Sequence, residues 1–167
     1  MIHEKNRLML FYSGLAVVLS IIFHLLNRVF EIMDHSAHGM GMSMIDMDEA
    51  WYIISLNILF IIPIALLVIS ILQYYRNKAH PYLPVSNTLV LTLSSISLIA
   101  GGGGMVELHF SIFMVVAIVA YYENVKVVAI MTSLFAVQHL LGFLWFPELV
   151  FGVHSYSFTM ILMHGVF

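Results

Sequence analysis

The sequence predicts an all-α, polytopic membrane protein, a six-helix transmembrane bundle with both ends cytoplasmic. Of its 167 residues, 62% are hydrophobic and only 9% are charged. Apolar runs recur at about 20 residues, the length of a bilayer-spanning helix. The basic residues fall almost entirely on one side of the resulting layout. A soluble domain carries about 25% charged residues, and fifteen charges cannot coat a chain of this length. Mean hydropathy is +1.01. These values exclude a soluble globular enzyme, a disordered chain and a nucleic-acid binder. The absence of cysteine excludes disulfides, thiolate metal sites and covalent haem attachment.

The first span is expected at Leu8–Phe30 and the second at Trp51–Tyr75, with Pro63 as a kink. The apolar stretch from Val85 to Tyr122 is too long for one helix. Gly101, Gly102, Gly103 and Gly104 divide it into Val85–Ala100 and Met105–Tyr122. A fifth span is expected at Val125–Phe146 and a sixth from Val153 onwards, with Pro147–Gly152 as an outer loop. Lys5, Arg7, Arg76, Lys78 and Lys126 share one side, and Arg28 alone lies towards the other. By the positive-inside rule the N-terminus is cytoplasmic and residues 31–50 form an extracytoplasmic loop. Trp51, Tyr52, Trp145 and Phe146 mark the outer interface, and Tyr74, Tyr75, Tyr121 and Tyr122 the inner one. The first apolar run is too long for a signal peptide and lacks a cleavage site. The sixth run is still apolar at Phe167, so residues 1–167 are read as the N-terminal input domain of a longer signalling protein.

Ionisable residues within spans are costly and usually functional or paired. His24, His109, His139 and His164 all lie inside expected helices. At about 1.5 Å of rise per residue they sit roughly 9, 7, 10 and 16 Å below the outer surface. Four such residues at similar depth suggest a shared site, since imidazole is a ligand for Zn, Cu and haem iron. Gly142, Gly165 and the four-glycine run offer space for a macrocycle, or simply close helix packing. Each His also has a plainer reading, as a lone hydrogen-bonding group between helices. Glu107 either orients a neighbouring His or reaches the outer interface.

The outer segment Met33–Met47 reads MDHSAHGMGMSMIDM. Thioethers and imidazoles together select soft cations such as Cu(I). His35, His38, Met40, Met42, Met44 and Met47 are the candidate metal ligands there, in a pattern that resembles the Met/His tracts of bacterial copper-resistance proteins. The bland alternative is a flexible loop whose Met residues rest on the membrane surface.

Glu107, His109 and Phe110 open one span, Tyr121-Tyr122 close it, and His139 and His164-Gly165 follow. With His24 in the first span, this pattern resembles the membrane sensor module that precedes bacterial methyl-accepting chemotaxis and diguanylate cyclase domains. Related sequences often carry a His pair where this chain has Gln138-His139. The resemblance implies a signal-input role rather than an enzyme, in the bacterial inner membrane, with dimerisation through the signalling region and cytoplasmic signalling partners. The leading expectation is a His-ligated cofactor in the outer half, haem b favoured, with His109 and His139 as axial ligands. The alternatives are a copper-binding membrane sensor or transport component and a small haem oxidoreductase. Membrane lipid is the surrounding partner in every case.

The topology has a direct check. Reporter fusions after Lys78 and Lys126 should read cytoplasmic, and one near Met42 should read extracytoplasmic. A cytoplasmic signal near Met42 would overturn the layout.

Overall fold

The computed structural model describes residues 2–30, 49–153, 157–159 and 162. Every regular element among them is helical. Helix α1 spans Ile2–Phe30, α2 Glu49–Arg76 and α3 Leu83–Gly101. A 3₁₀ turn, Val106–His109, leads into α4, Phe110–Ala120, followed by α5, Val125–Leu144, and a short α6, Pro147–Phe151. Four of these (α1, α2, α3 and α5) are long and apolar enough to cross a membrane, whereas the stretch Val106–Ala120 is shorter. The expected sixth span lies largely outside the described residues.

One expectation changes. Pro147–Gly152, expected as loop, contains α6. Proline at its start has the helical φ already set, and Gly152 ends it in the left-handed conformation at φ 64°. Pro63 sits inside α2 and removes one intrahelical bond without ending the helix.

Helix α3 is the centre of the bundle. Of its apolar window 67% is buried, against 17–28% for α1, α2 and α5. The outward faces of the others carry large apolar side chains such as Phe11, Val18, Ile61 and Leu72. In a bilayer these faces contact lipid, and packing between helices relies on small residues and hydrogen bonds rather than on hydrophobic burial.

That reliance is visible along α3. Asn87 is fully buried. Its amide oxygen accepts from the Ser70 hydroxyl of α2, and its amide nitrogen donates to the Tyr122 hydroxyl beyond α4 at 2.9 Å. Its backbone carbonyl accepts from Ser13 of α1 at 3.4 Å. One side chain with its own carbonyl thus ties three elements to α3. Further along, Ser95 pairs with Ser111 of α4 at 2.6 Å, and Ser97 accepts from Ser20 of α1 at 2.8 Å. Thr88 and Thr92 turn their hydroxyls back onto the carbonyls of Pro84 and Thr88, which satisfies them within the helix.

The bundle ends are also fixed. Asn6 donates to the carbonyl of Lys78 at 3.0 Å, and Lys5 pairs with Glu123 at 2.8 Å. The start of α1, the α2–α3 turn and the α4–α5 turn therefore meet at one end. At the other, Arg28 donates to Asn57 at 2.7 Å and lies over the Phe60 ring. The Lys5 hydrogen bond, reinforced by its charge, holds the Glu123 carboxyl below the usual carboxylate range.

Replacing Asn87 with Leu should strand the Ser70 and Tyr122 hydroxyls, and each buried unpaired group costs roughly 1–3 kcal/mol. The thermal midpoint in detergent should fall by several degrees. Ser94 is the control, since its buried hydroxyl has no hydrogen-bond partner among the described residues. Ser94→Ala should leave the midpoint nearly unchanged, and equal effects of the two changes would remove Asn87 from its central role.

Candidate functional site

The four-glycine run is built for backbone contact. Gly103 and Gly104 adopt φ of 66° and 71°, in the left-handed region. A Cβ on Gly104 would stand 2.2 Å from the Gly152 nitrogen, and one on Gly152 would stand 2.5 Å from the Gly103 oxygen. The α3 exit and the α6 exit thus pack backbone to backbone. Gly142 of α5 completes the closure, because a Cβ there would meet the Val150 side chain at 2.6 Å. The space expected for a macrocycle beside these glycines is filled by protein.

This closure delivers Phe151 to a pair of histidines. The rings of His109 and His139 lie 5.7 Å apart between centres at 69°. Phe151 stacks parallel to His109 at 6.3 Å and meets His139 edge-on at 5.9 Å. It also shares an apolar cluster with Leu56, Ala100, Leu149 and Val150. Leu56 belongs to the first turns of α2, close to where the 31–50 segment joins the bundle.

The hydrogen bonds fix the tautomers. Nδ1 of His109 lies 3.1 Å from the Met105 carbonyl, and Nδ1 of His139 lies 2.8 Å from that of Phe135. A carbonyl only accepts, so each Nδ1 carries the proton, and in the neutral form the acceptor nitrogen of each ring is Nε2. Metal-bound histidines commonly hold their other nitrogen on a carbonyl in this way.

His24 is set up differently. It is 2% exposed, and its Nε2 lies 3.0 Å from both the carbonyl and the hydroxyl of Ser97. The carbonyl requires Nε2 to carry the proton. The ring packs on Phe60 and against Gly101, where a Cβ would meet it at 2.5 Å. His24 therefore serves the α1–α3 contact.

Glu107 is exposed on the 3₁₀ turn. No group of three His or carboxylate residues converges among the described residues. His164, His35, His38, Met40, Met42, Met44 and Met47 lie outside the described residues. Phe151, Ser97 and Gly152 belong to these sites but were not anticipated from the sequence.

Haem held between His109 and His139 would need their ring centres more than about 6 Å apart at a metal–nitrogen distance of about 2 Å, against 5.7 Å here. Phe151, at 6.3 and 5.9 Å from the two ring centres, lies to one side of the pair. A single small ion needs less room there than a macrocycle.

No known protein family matches the chain, and no curated protein or solved structure is similar to it.

Gly104→Ala should cost stability twice. The left-handed φ is worth roughly 1–3 kcal/mol against a non-glycine residue, and the new Cβ collides with Gly152. Gly14, with nothing within 4 Å of its Cβ position, provides the comparison. A thermal midpoint as high for Gly104→Ala as for Gly14→Ala would contradict the backbone closure.

Proposed function

We propose that this chain is a sensory input module of the bacterial inner membrane, with both ends cytoplasmic, in which His109 and His139 take up a metal ion. Copper suits the site best. The observation that carries this reading is the matched pair of tautomers, which gives two adjacent rings an Nε2 lone pair each. Imidazole nitrogen accepts copper readily, and the Met/His tract at 31–50 is of the type that captures Cu(I). The proximity of Leu56 to Phe151 supports transfer from that tract to the His pair.

A metal ion held by both rings would fix their separation, now 5.7 Å between centres. Phe151 packs against both rings, so a change in that separation would pass to α6 and to the chain beyond Gly152. Close packing favours such transmission, because a filled interior has no slack to absorb it. The signal-input role rests on the resemblance to chemotaxis and cyclase sensor modules.

The test is Cu(I) titration of the purified chain in micelles, in competition with a chromogenic chelator under reducing conditions. His109→Ala and His139→Ala should each weaken binding at least tenfold. His24→Ala should retain copper affinity while lowering the thermal midpoint. Undiminished copper affinity in the double variant would overturn the site. A Soret band lost on replacing His109 or His139 would restore the haem reading instead.

A further inference from the structure

Two faces of the bundle expose apolar stripes of unequal length. On α1 the stripe runs through Leu8, Phe11, Leu15, Val18, Leu25 and Val29, between the exposed Arg7 and Arg28. On the 3₁₀ turn and α4 it runs through Val106, Phe110, Phe113, Met114 and Tyr121, and the exposed Glu107 and Glu123 mark its ends. At about 1.5 Å per helical residue and about 2.0 Å per 3₁₀ residue, the charges bounding α1 stand roughly 31 Å apart and those bounding α4 roughly 25 Å. A bilayer's hydrocarbon core is about 30 Å thick. The α1 face matches it and the α4 face falls short.

Hydrogen bonds fix both helices in depth against α3, so tilting one of them does not remove the difference. Ser97 meets Ser20 and His24 of α1, and Ser95 meets Ser111 of α4. Measured along the bundle from Ser95, Arg28 then stands roughly 12 Å and Glu107 roughly 7 Å towards the same end. At the other end Lys5 pairs with Glu123 at 2.8 Å, so the two stripes start nearly level. The shortfall of roughly 5–6 Å therefore falls at the turn that carries Glu107 and His109. That turn is held at its depth, because the preceding Gly104 packs backbone to backbone on Gly152. A carboxylate is costly to carry into hydrocarbon. Arg28 can extend a long stem to the surface, whereas the stem of Glu107 is shorter. The remaining adjustment is for the lipid beside α4 to thin.

We propose that the α4 face binds bilayer lipids of shorter acyl chain than the α1 face does, so that the chain sits at a step in membrane thickness with Glu107 at the thin edge. The proposal rests on the bundle being embedded in a membrane. It stands whether or not His109 and His139 take up a metal.

The test is quenching of a single tryptophan by brominated phosphatidylcholine in vesicles holding the whole chain. Trp51 and Trp145, the two native tryptophans, are replaced by Phe, and a reporter is placed on one face at a time as Phe113→Trp or Leu15→Trp. Both positions are exposed, so the thermal midpoint should be unchanged. A brominated lipid of fixed length competes with unbrominated phosphatidylcholines that differ only in acyl length. Phe113→Trp should report a preference for the shorter lipid of about twofold or more, and Leu15→Trp should favour a longer one. Glu107→Leu removes the charge that ends the short stripe, and should move the Phe113→Trp preference towards longer lipid. Equal preferences at the two reporters would overturn the proposal, as would a preference that Glu107→Leu leaves unmoved. So would a Phe113→Trp reporter that escapes quenching while Leu15→Trp is quenched, since protein, such as a second copy, would then cover the α4 face. The preference is read without added metal, which keeps a failure here separate from a failure of the metal reading.

Discussion

The structure depends on the need to satisfy polar groups carried into an apolar environment. Helix α3 brings Asn87, Thr88, Thr92, Ser94, Ser95 and Ser97 into the interior. Hydrocarbon offers no hydrogen bonds, so a buried hydroxyl or amide finds a protein partner or costs free energy. Two threonines solve this locally by bonding to their own helix. Asn87, Ser95 and Ser97 solve it by recruiting α1, α2, α4 and Tyr122. The polar face of α3 thereby selects its neighbours. Apolar packing alone would not, because lipid tails compete with leucine for any apolar surface.

The same constraint sorts the histidines. His24 and the His109–His139 pair are all held by backbone carbonyls, but through opposite nitrogens. For His24 the bonded nitrogen is Nε2, which places the proton at the tip of the ring and makes the residue a donor to Ser97. For the other two it is Nδ1, which turns a lone pair outwards from each helix. His24 and His109 are buried and His139 partly so, and the choice of carbonyl separates a helix-packing group from a candidate ligand.

Glycine provides the second means of close approach. Gly103 and Gly104 meet Gly152 backbone to backbone, and Gly142 admits Val150. These contacts turn α6 back over the bundle end and seat Phe151 on the two imidazoles. Glycines that in sequence are compatible with either a cavity or a tight joint here make the joint.

The helical class followed from the long continuous apolar runs, because a run of that length satisfies its backbone in hydrocarbon as a helix, whereas a barrel would need short alternating segments. Span boundaries at α2, α3 and α5 came within a few residues for the same reason. A further signal lies in α1, where Asn6, Ser13 and Ser20 recur every seven residues, with His24 one turn beyond, and all four are buried. That spacing marks the inward face of α1 directly. The conjunction of His109 with His139 was expected from the short connection between their helices. Two things were decided only by tertiary structure: the Ser97 carbonyl that His24 meets and the arrival of Phe151 beside the His109 and His139 rings. Each depends on the angle and depth at which helices distant in sequence come together, and helical periodicity specifies a face without specifying what lies against it.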